Sequence, residues 1–191
     1  PRWEIPQWVI KSEAVSGVAA ADFAASGTTA TLSVASMSTS VYDVTLTGGD
    51  LANLNATVGL NFAASPTISD LAGNALPNTE PATDDTYLLD NTTPGSTSFV
   101  RQTPATSPTN ADSLVFRVTF SEAVTAVDAA DFTASGTTTA TVTNVAAVSP
   151  SVYDVTLSGG NLAGFNGTVG LNLSGSQNIT DLAGNSFPPT E

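Results

Sequence analysis

The sequence of this chain repeats itself at an offset of 109 to 111 residues, and the duplication constrains the fold more than any other feature. Ser12-Glu13-Ala14-Val15 returns 109 positions later as Ser121-Glu122-Ala123-Val124. AADF recurs at Ala20–Phe23 and Ala129–Phe132, VYDVTL at Val41–Leu46 and Val152–Leu157, and TVGLN at Thr57–Asn61 and Thr168–Asn172. Asp70 of the first DLAGN returns as Asp181, 111 positions on, so the second copy carries two extra residues, expected near Val145–Pro150. A repeat this long is a pair of whole domains in tandem, not a solenoid of short units. The boundaries read as 1–90 and 91–191, with the joint near Asp90–Gly95.

Within each copy the apolar period is two. Tyr42, Val44 and Leu46 alternate with Asp43 and Thr45; Leu114, Phe116, Val118 and Phe120 alternate with Val115, Arg117 and Thr119; Val169, Leu171 and Leu173 alternate with Gly170 and Asn172. This is the pattern of half-buried strands. Gly, Asn, Pro and Asp punctuate the chain every ten residues or so, and no stripe of helical period stands out. A single helical turn fits Val127–Phe132. The expected fold is all-β: two tandem antiparallel Ig-like β-sandwich domains.

The copies are not complete in the same way. Ser96–Phe120 is long enough for two strands ahead of the second copy, whereas only eleven residues precede Ser12. PRWEIPQWVIK, with two Trp and a Pro, matches SLVFRVTF poorly, so the first copy reads as lacking its first strand. The second reads as lacking the last strand, which Thr86–Asn91 supplies in the first. Two explanations stay open: a window cut from a longer array, or strand donation between chains. In the second, Arg2–Lys11 of one chain completes a neighbouring copy of the same chain, with Trp3, Ile5, Trp8, Val9 and Ile10 as anchors, and a head-to-tail filament follows.

Charge and composition narrow the chemistry. Seventeen acidic residues against four basic give a net charge of −13, which argues against nucleic acid and anionic membrane surfaces as partners. The longest apolar runs are too short to span a bilayer. No basic-then-apolar start resembles a signal peptide, so any export signal is expected to be removed or to lie outside the chain. There is no cysteine and no histidine, which excludes disulfides, thiolate nucleophiles, Ser-His-Asp triads and most zinc or copper sites. The remaining carboxylates sit mainly in turns repeated in both copies. A duplicated enzyme site on small sandwiches is not expected, so the chain reads as non-enzymatic. A glycan-gripping module would gather exposed aromatics in one loop, and the Phe and Tyr here fall mostly at core-like positions.

FSEAV (Phe120–Val124), DAADF (Asp128–Phe132), DLAGN (Asp181–Asn185) and LLDNTTP (Leu88–Pro94) together resemble bacterial Ig-like domains, which occur in tandem in S-layer proteins and large repetitive surface adhesins. The resemblance covers nearly the whole chain outside Pro1–Ile10. It implies a bacterial extracellular, cell-surface location and a mechanical role as a spacer, with calcium stiffening the domain junctions. The residues offer a matching cation site. The second and sixth strands of such a domain run the same way, which would bring Glu122 and Asp181 to one pole, with Asn185 beside them and Asp90 on the incoming linker. The equivalent set in the first copy is Glu13, Asp70 and Asn74. Carboxylates and carbonyls are the hard oxygen ligands calcium prefers. Turn chemistry explains the same residues, since Asp caps backbone amides and Gly and Asn tolerate positive φ; both readings stay open. Asp84 and Asp85 read as a solvated loop, and Asp43 and Asp154 as solvated outward positions on a strand.

Overall fold

The computed structural model describes residues 4–10, 13–77, 79 and 84–188, with the backbone alone for 4–10. The described part of the chain is all-β, built from antiparallel sheets. It divides into two compact units, Pro1–Asn91 and Thr92–Glu191. Among the described residues no helix is long and apolar enough to cross a membrane.

Unit 1 contains β1 (Glu4–Ile10), β2 (Val15–Ser16), β3 (Phe23–Ser26), β4 (Thr31–Ser36), β5 (Val41–Thr47), β6 (Ala56–Phe62), β7 (Ser69–Asp70) and β8 (Tyr87–Leu89). They form sheets in the orders β1-β5-β4 and β3-β6-β8, plus the short pair β2-β7. Unit 2 contains β9 (Ser96–Thr103), β10 (Ser113–Phe120), β11 (Val124–Thr125), β12 (Phe132–Ser135), β13 (Thr141–Ser149), β14 (Val152–Ser158), β15 (Gly170–Leu173) and β16 (Thr180–Asp181). Its sheets are β13-β14-β10-β9, β12-β15 and β11-β16.

The period-two pattern places the core. Tyr42, Val44 and Leu46 of β5 are buried and their neighbours half-buried; β14 repeats this at Tyr153, Val155 and Leu157. Each fully buried Val or Leu contributes about 1.5–3 kcal/mol. In unit 1, Tyr42 and Val44 share a cluster with Phe23 of β3 and with Leu60 and Phe62 of β6, so the two main sheets meet in one sandwich-like core. In unit 2, Val155 and Leu157 meet Phe132 and Leu171 in the same way. The helical turn expected in Val127–Phe132 is a 3-10 turn at Ala129–Asp131, with a counterpart at Ala20–Asp22.

Two expectations need correction. Glu4–Ile10 pairs with β5 of its own chain, Ile5 opposite Leu46 and Val9 opposite Tyr42. That is the place β10 holds on β14, where Leu114 faces Leu157 and Val118 faces Tyr153. The strand without a counterpart in unit 1, among the described residues, is instead β9. Pro6 is tolerated because β1 is the outer strand of its sheet, where a missing N–H leaves no partner unserved. Trp3 and the side chains of Ile5, Trp8, Val9 and Ile10, named as donation anchors, lie outside what is described. The second correction concerns the two extra residues. They do not sit at Val145–Pro150. One falls in the turn after Gly136, since Thr28 and Thr29 contact Asp50 as Thr138 and Thr139 contact Asn161. The other is Thr143, skipped by a bulge where β13 passes from Val142 to Asn144 along β14.

Candidate metal centre

The DLAGN turn is built by its own side chains. Asp70 accepts hydrogen bonds at Oδ1 from the Ala72 N–H (2.8 Å) and the Asn74 N–H (2.8 Å), and at Oδ2 from the Asn74 side-chain amide (2.7 Å). Asp181 accepts at Oδ1 from the Asn185 N–H (2.8 Å) and at Oδ2 from the Asn185 amide (2.8 Å). Gly73 and Gly184 take φ of +88° and +91°, a conformation that closes the turn and costs glycine nothing. The Asn74 amide, then its backbone N–H, hold the Asp70 carboxyl below its ordinary range. Burial pushes Asp181 up, but the hydrogen bonds from Asn185, Ala183 and Gly184 outweigh it and hold this carboxyl low as well. Both turns thus keep a carboxylate ionised.

The surroundings of the two turns differ. β2 pairs with β7, Val15 opposite Asp70, and β11 pairs with β16, Val124 opposite Asp181. This pairing brings the strand that follows Glu13 or Glu122 alongside the turn. In the first copy Asp70 is half-buried, Glu13 and Asn74 are exposed, and among the described residues no third acidic side chain joins them in a tight group. In the second copy Asp181 is 3% exposed. Within unit 2, one carboxylate oxygen of Glu122 lies within 4.8 Å of one of Asp181. Two oxygens bound to one calcium at about 2.4 Å can be at most about 4.8 Å apart. The donor set is all-oxygen and anionic, and fits a hard divalent cation better than a soft one.

Other carboxylates have structural duties that the sequence reading missed. The Asp of AADF is a buried tie. Asp22, 1% exposed, accepts from the Ala19 N–H (2.7 Å), the Thr67 N–H (2.6 Å) and the Thr67 hydroxyl (2.9 Å). Burial raises its pKa, the Thr67 and Ala19 donors lower it, and the donors prevail. Asp131 is equally buried and accepts from the Asp128 N–H (2.6 Å) and the Asn178 N–H (3.1 Å). The recurrence of AADF signalled that this Asp matters, but a lone Asp beside Phe gives no sign of burial. Asp154 is not a solvated position: Arg117 holds it through two 2.9 Å hydrogen bonds, and that guanidinium keeps its carboxyl below the usual range. Its counterpart Asp43 has a buried Oδ1 with no hydrogen-bond partner among the described residues. Asp84 and Asp85 are exposed.

No protein-family model, no curated protein and no solved structure matches this chain.

Proposed function

We propose that the chain is a non-enzymatic structural module of a bacterial extracellular surface protein, an adhesin or S-layer-like spacer of tandem Ig-like domains. In this reading calcium binds at Asp90, Glu122 and Asp181 and ties the connecting segment to the turn at Asp181–Asn185. The observation that supports it is the approach of the Glu122 and Asp181 carboxylates from separate stretches of sequence, with Asp90 of the connecting segment as the proposed third ligand. Without a cation, their mutual repulsion would loosen that segment. With one, the segment is fixed, and a joint that resists bending is what a spacer needs. The acidic, cysteine-free composition accords with an extracellular setting in which rigidity comes from something other than disulfides.

Thermal unfolding with calcium and then with EDTA tests the reading. A cation that binds only the folded state at a hundredfold excess over its Kd stabilises by about 2.7 kcal/mol. The expected result is a higher midpoint of unit 2 in calcium, lost in Glu122→Gln and in Asp90→Asn and retained in Asp70→Asn. An equal calcium shift in wild type and Glu122→Gln would sink the assignment.

A further inference from the structure

Among the described residues β4 (Thr31–Ser36) is bonded to β5 on one side and to no strand on the other. Its register along β5 is unbroken, from Thr31 opposite Thr47 to Ser36 opposite Tyr42. β13, which holds the same place in unit 2, shifts register twice along β14. In an antiparallel ladder, successive residues alternate between sharing their hydrogen bonds with the partner strand and turning them away from it. Just past β4 the Met37 N–H donates to the Val41 carbonyl (2.9 Å), which fixes the phase. Counting back, Ala35, Ser33 and Thr31 bond to β5, while Ser36, Val34 and Leu32 turn their N–H and C=O groups outward. Among the described residues none of these outward backbone groups has a hydrogen-bond partner.

The side chains leave this edge open. Leu32 and Val34 pack on the core but are only half-buried, and Ser33 and Ala35 are small and exposed. No charged residue occurs from Phe23 to Tyr42, in a chain of net charge −13. A free edge is ordinarily blunted by Pro, by a charge or by a bulge, and β4 carries none of these. The charge pattern also selects the partner. A basic partner is drawn to the carboxylates, which lie elsewhere, whereas a second acidic copy meets least repulsion along an uncharged strip.

We propose that two copies of this chain associate through β4, antiparallel about a twofold axis at Val34, so that the β1-β5-β4 sheets of the two molecules join into one. A strand paired with itself about such an axis is its own complement. Val34 exchanges N–H and C=O with the partner's Val34, and Leu32 exchanges with the partner's Ser36. This register uses the outward groups of Leu32, Val34 and Ser36 in both copies. It also removes the uncovered flanks of Leu32 and Val34 from water. On the outer face Ser33 stands opposite the partner's Ala35 in a non-hydrogen-bonded pair, where side chains come closest. The pairing needs no cation and uses none of the carboxylates named above.

Sedimentation at chain concentrations up to millimolar should show a monomer–dimer equilibrium that EDTA leaves unchanged. Ser33→Glu together with Ala35→Glu sets like charges directly opposite each other on both sides of the axis and should weaken dimerisation about tenfold. Both side chains are exposed, so the fold survives the change. Mixing that variant with one carrying Ser33→Lys and Ala35→Lys should restore pairing, now between the two kinds of chain, and high salt should weaken it. Because the chain has no cysteine, oxidation can read the register. Ser33→Cys in one chain and Ala35→Cys in another would lie about 4.5 Å apart, within disulfide reach, so the mixture should cross-link more than either variant alone. A chain that stays monomeric throughout, an unchanged dimer in the double Glu variant, or equal cross-linking in the mixture and in the single variants would overturn the proposal.

Discussion

Units 1 and 2 share their locks and differ in their charges. Both close the DLAGN turn with an Asp–Asn clip, and both bury the Asp of AADF under hydrogen bonds from neighbouring loops. In each the acceptor satisfies backbone N–H groups, which every sequence presents in the same place. What differs is set by side chains alone. Asp154 has Arg117, whereas Asp43 keeps a buried oxygen without a partner among the described residues. Position 17 is Gly with φ +78°, and its counterpart Ala126 holds φ +61° with a side chain attached. Duplicated units thus hold on to what serves the backbone and drift where one side chain must answer another.

The largest expected effect tests the shared part. Asp22→Ala leaves the Ala19 N–H, Thr67 N–H and Thr67 hydroxyl without their buried acceptor and should cost unit 1 about 3 kcal/mol. Asp131→Ala should cost unit 2 a similar amount. In urea unfolding followed by probes in each unit, only the transition of the altered unit should move; a small loss in either would mean that the two ties are not equivalent. Acid should act on the same tie. The folded pKa of Asp22 is depressed below its ordinary 3.8, so its contribution is fully present above that value and fades as the pH falls through the folded pKa. Asp22→Asn should flatten that part of the pH profile.

A smaller effect should take opposite signs in the two units. Asp43→Thr removes a buried oxygen that has no partner among the described residues and should stabilise unit 1 by about 1 kcal/mol. Asp154→Thr strands Arg117 and should lower the unit 2 midpoint. The same sign for both substitutions, read by calorimetry, would break the distinction. The smallest effects lie at the left-handed position. Ala126→Gly should stabilise by about 0.5–1 kcal/mol by relieving φ +61°. Gly17→Ala should destabilise by about 1 kcal/mol or more, because its Cβ would come 3.2 Å from the Thr67 carbonyl oxygen. Guanidinium midpoints of the two single variants resolve this pair.

How legible all this was in the sequence depends on whether a residue's duty is local. β5 and β14 alternate cleanly, and their burial follows the alternation residue by residue. The clip is local too, four residues from Asp to Asn, and its chemistry could be read directly. β1 could not, because Pro6 looks wrong for a strand until its outer position is known. The extra residues were misplaced because runs of Thr and Ala align in several registers, and only the contacts of Thr138 and Thr139 fix the frame. The burial of Asp22 depends on Thr67, 45 positions away, and that of Asp131 on Asn178, 47 away; no window of sequence contains either pair. Asp90, Glu122 and Asp181 were grouped from strand order alone, and within unit 2 the structure has a Glu122 oxygen within 4.8 Å of an Asp181 oxygen. What that group binds was beyond strand order, since a turn and a cation ask for the same residues.

The bulges of β13 bear on a different matter, which is how such a chain stays in solution. β13 is an outer strand of its sheet, and it drops Thr143 and Val148 from its ladder with β14. Each dropped residue twists the strand and interrupts the row of N–H and C=O groups along its outer side. Another molecule sliding up to that side finds no straight template to extend, so the sheet resists growing into an aggregate. β4, its counterpart in unit 1, runs in unbroken register along β5 and has no such protection. The residue that lengthened the repeat inside this strand therefore also made its edge a poor seed.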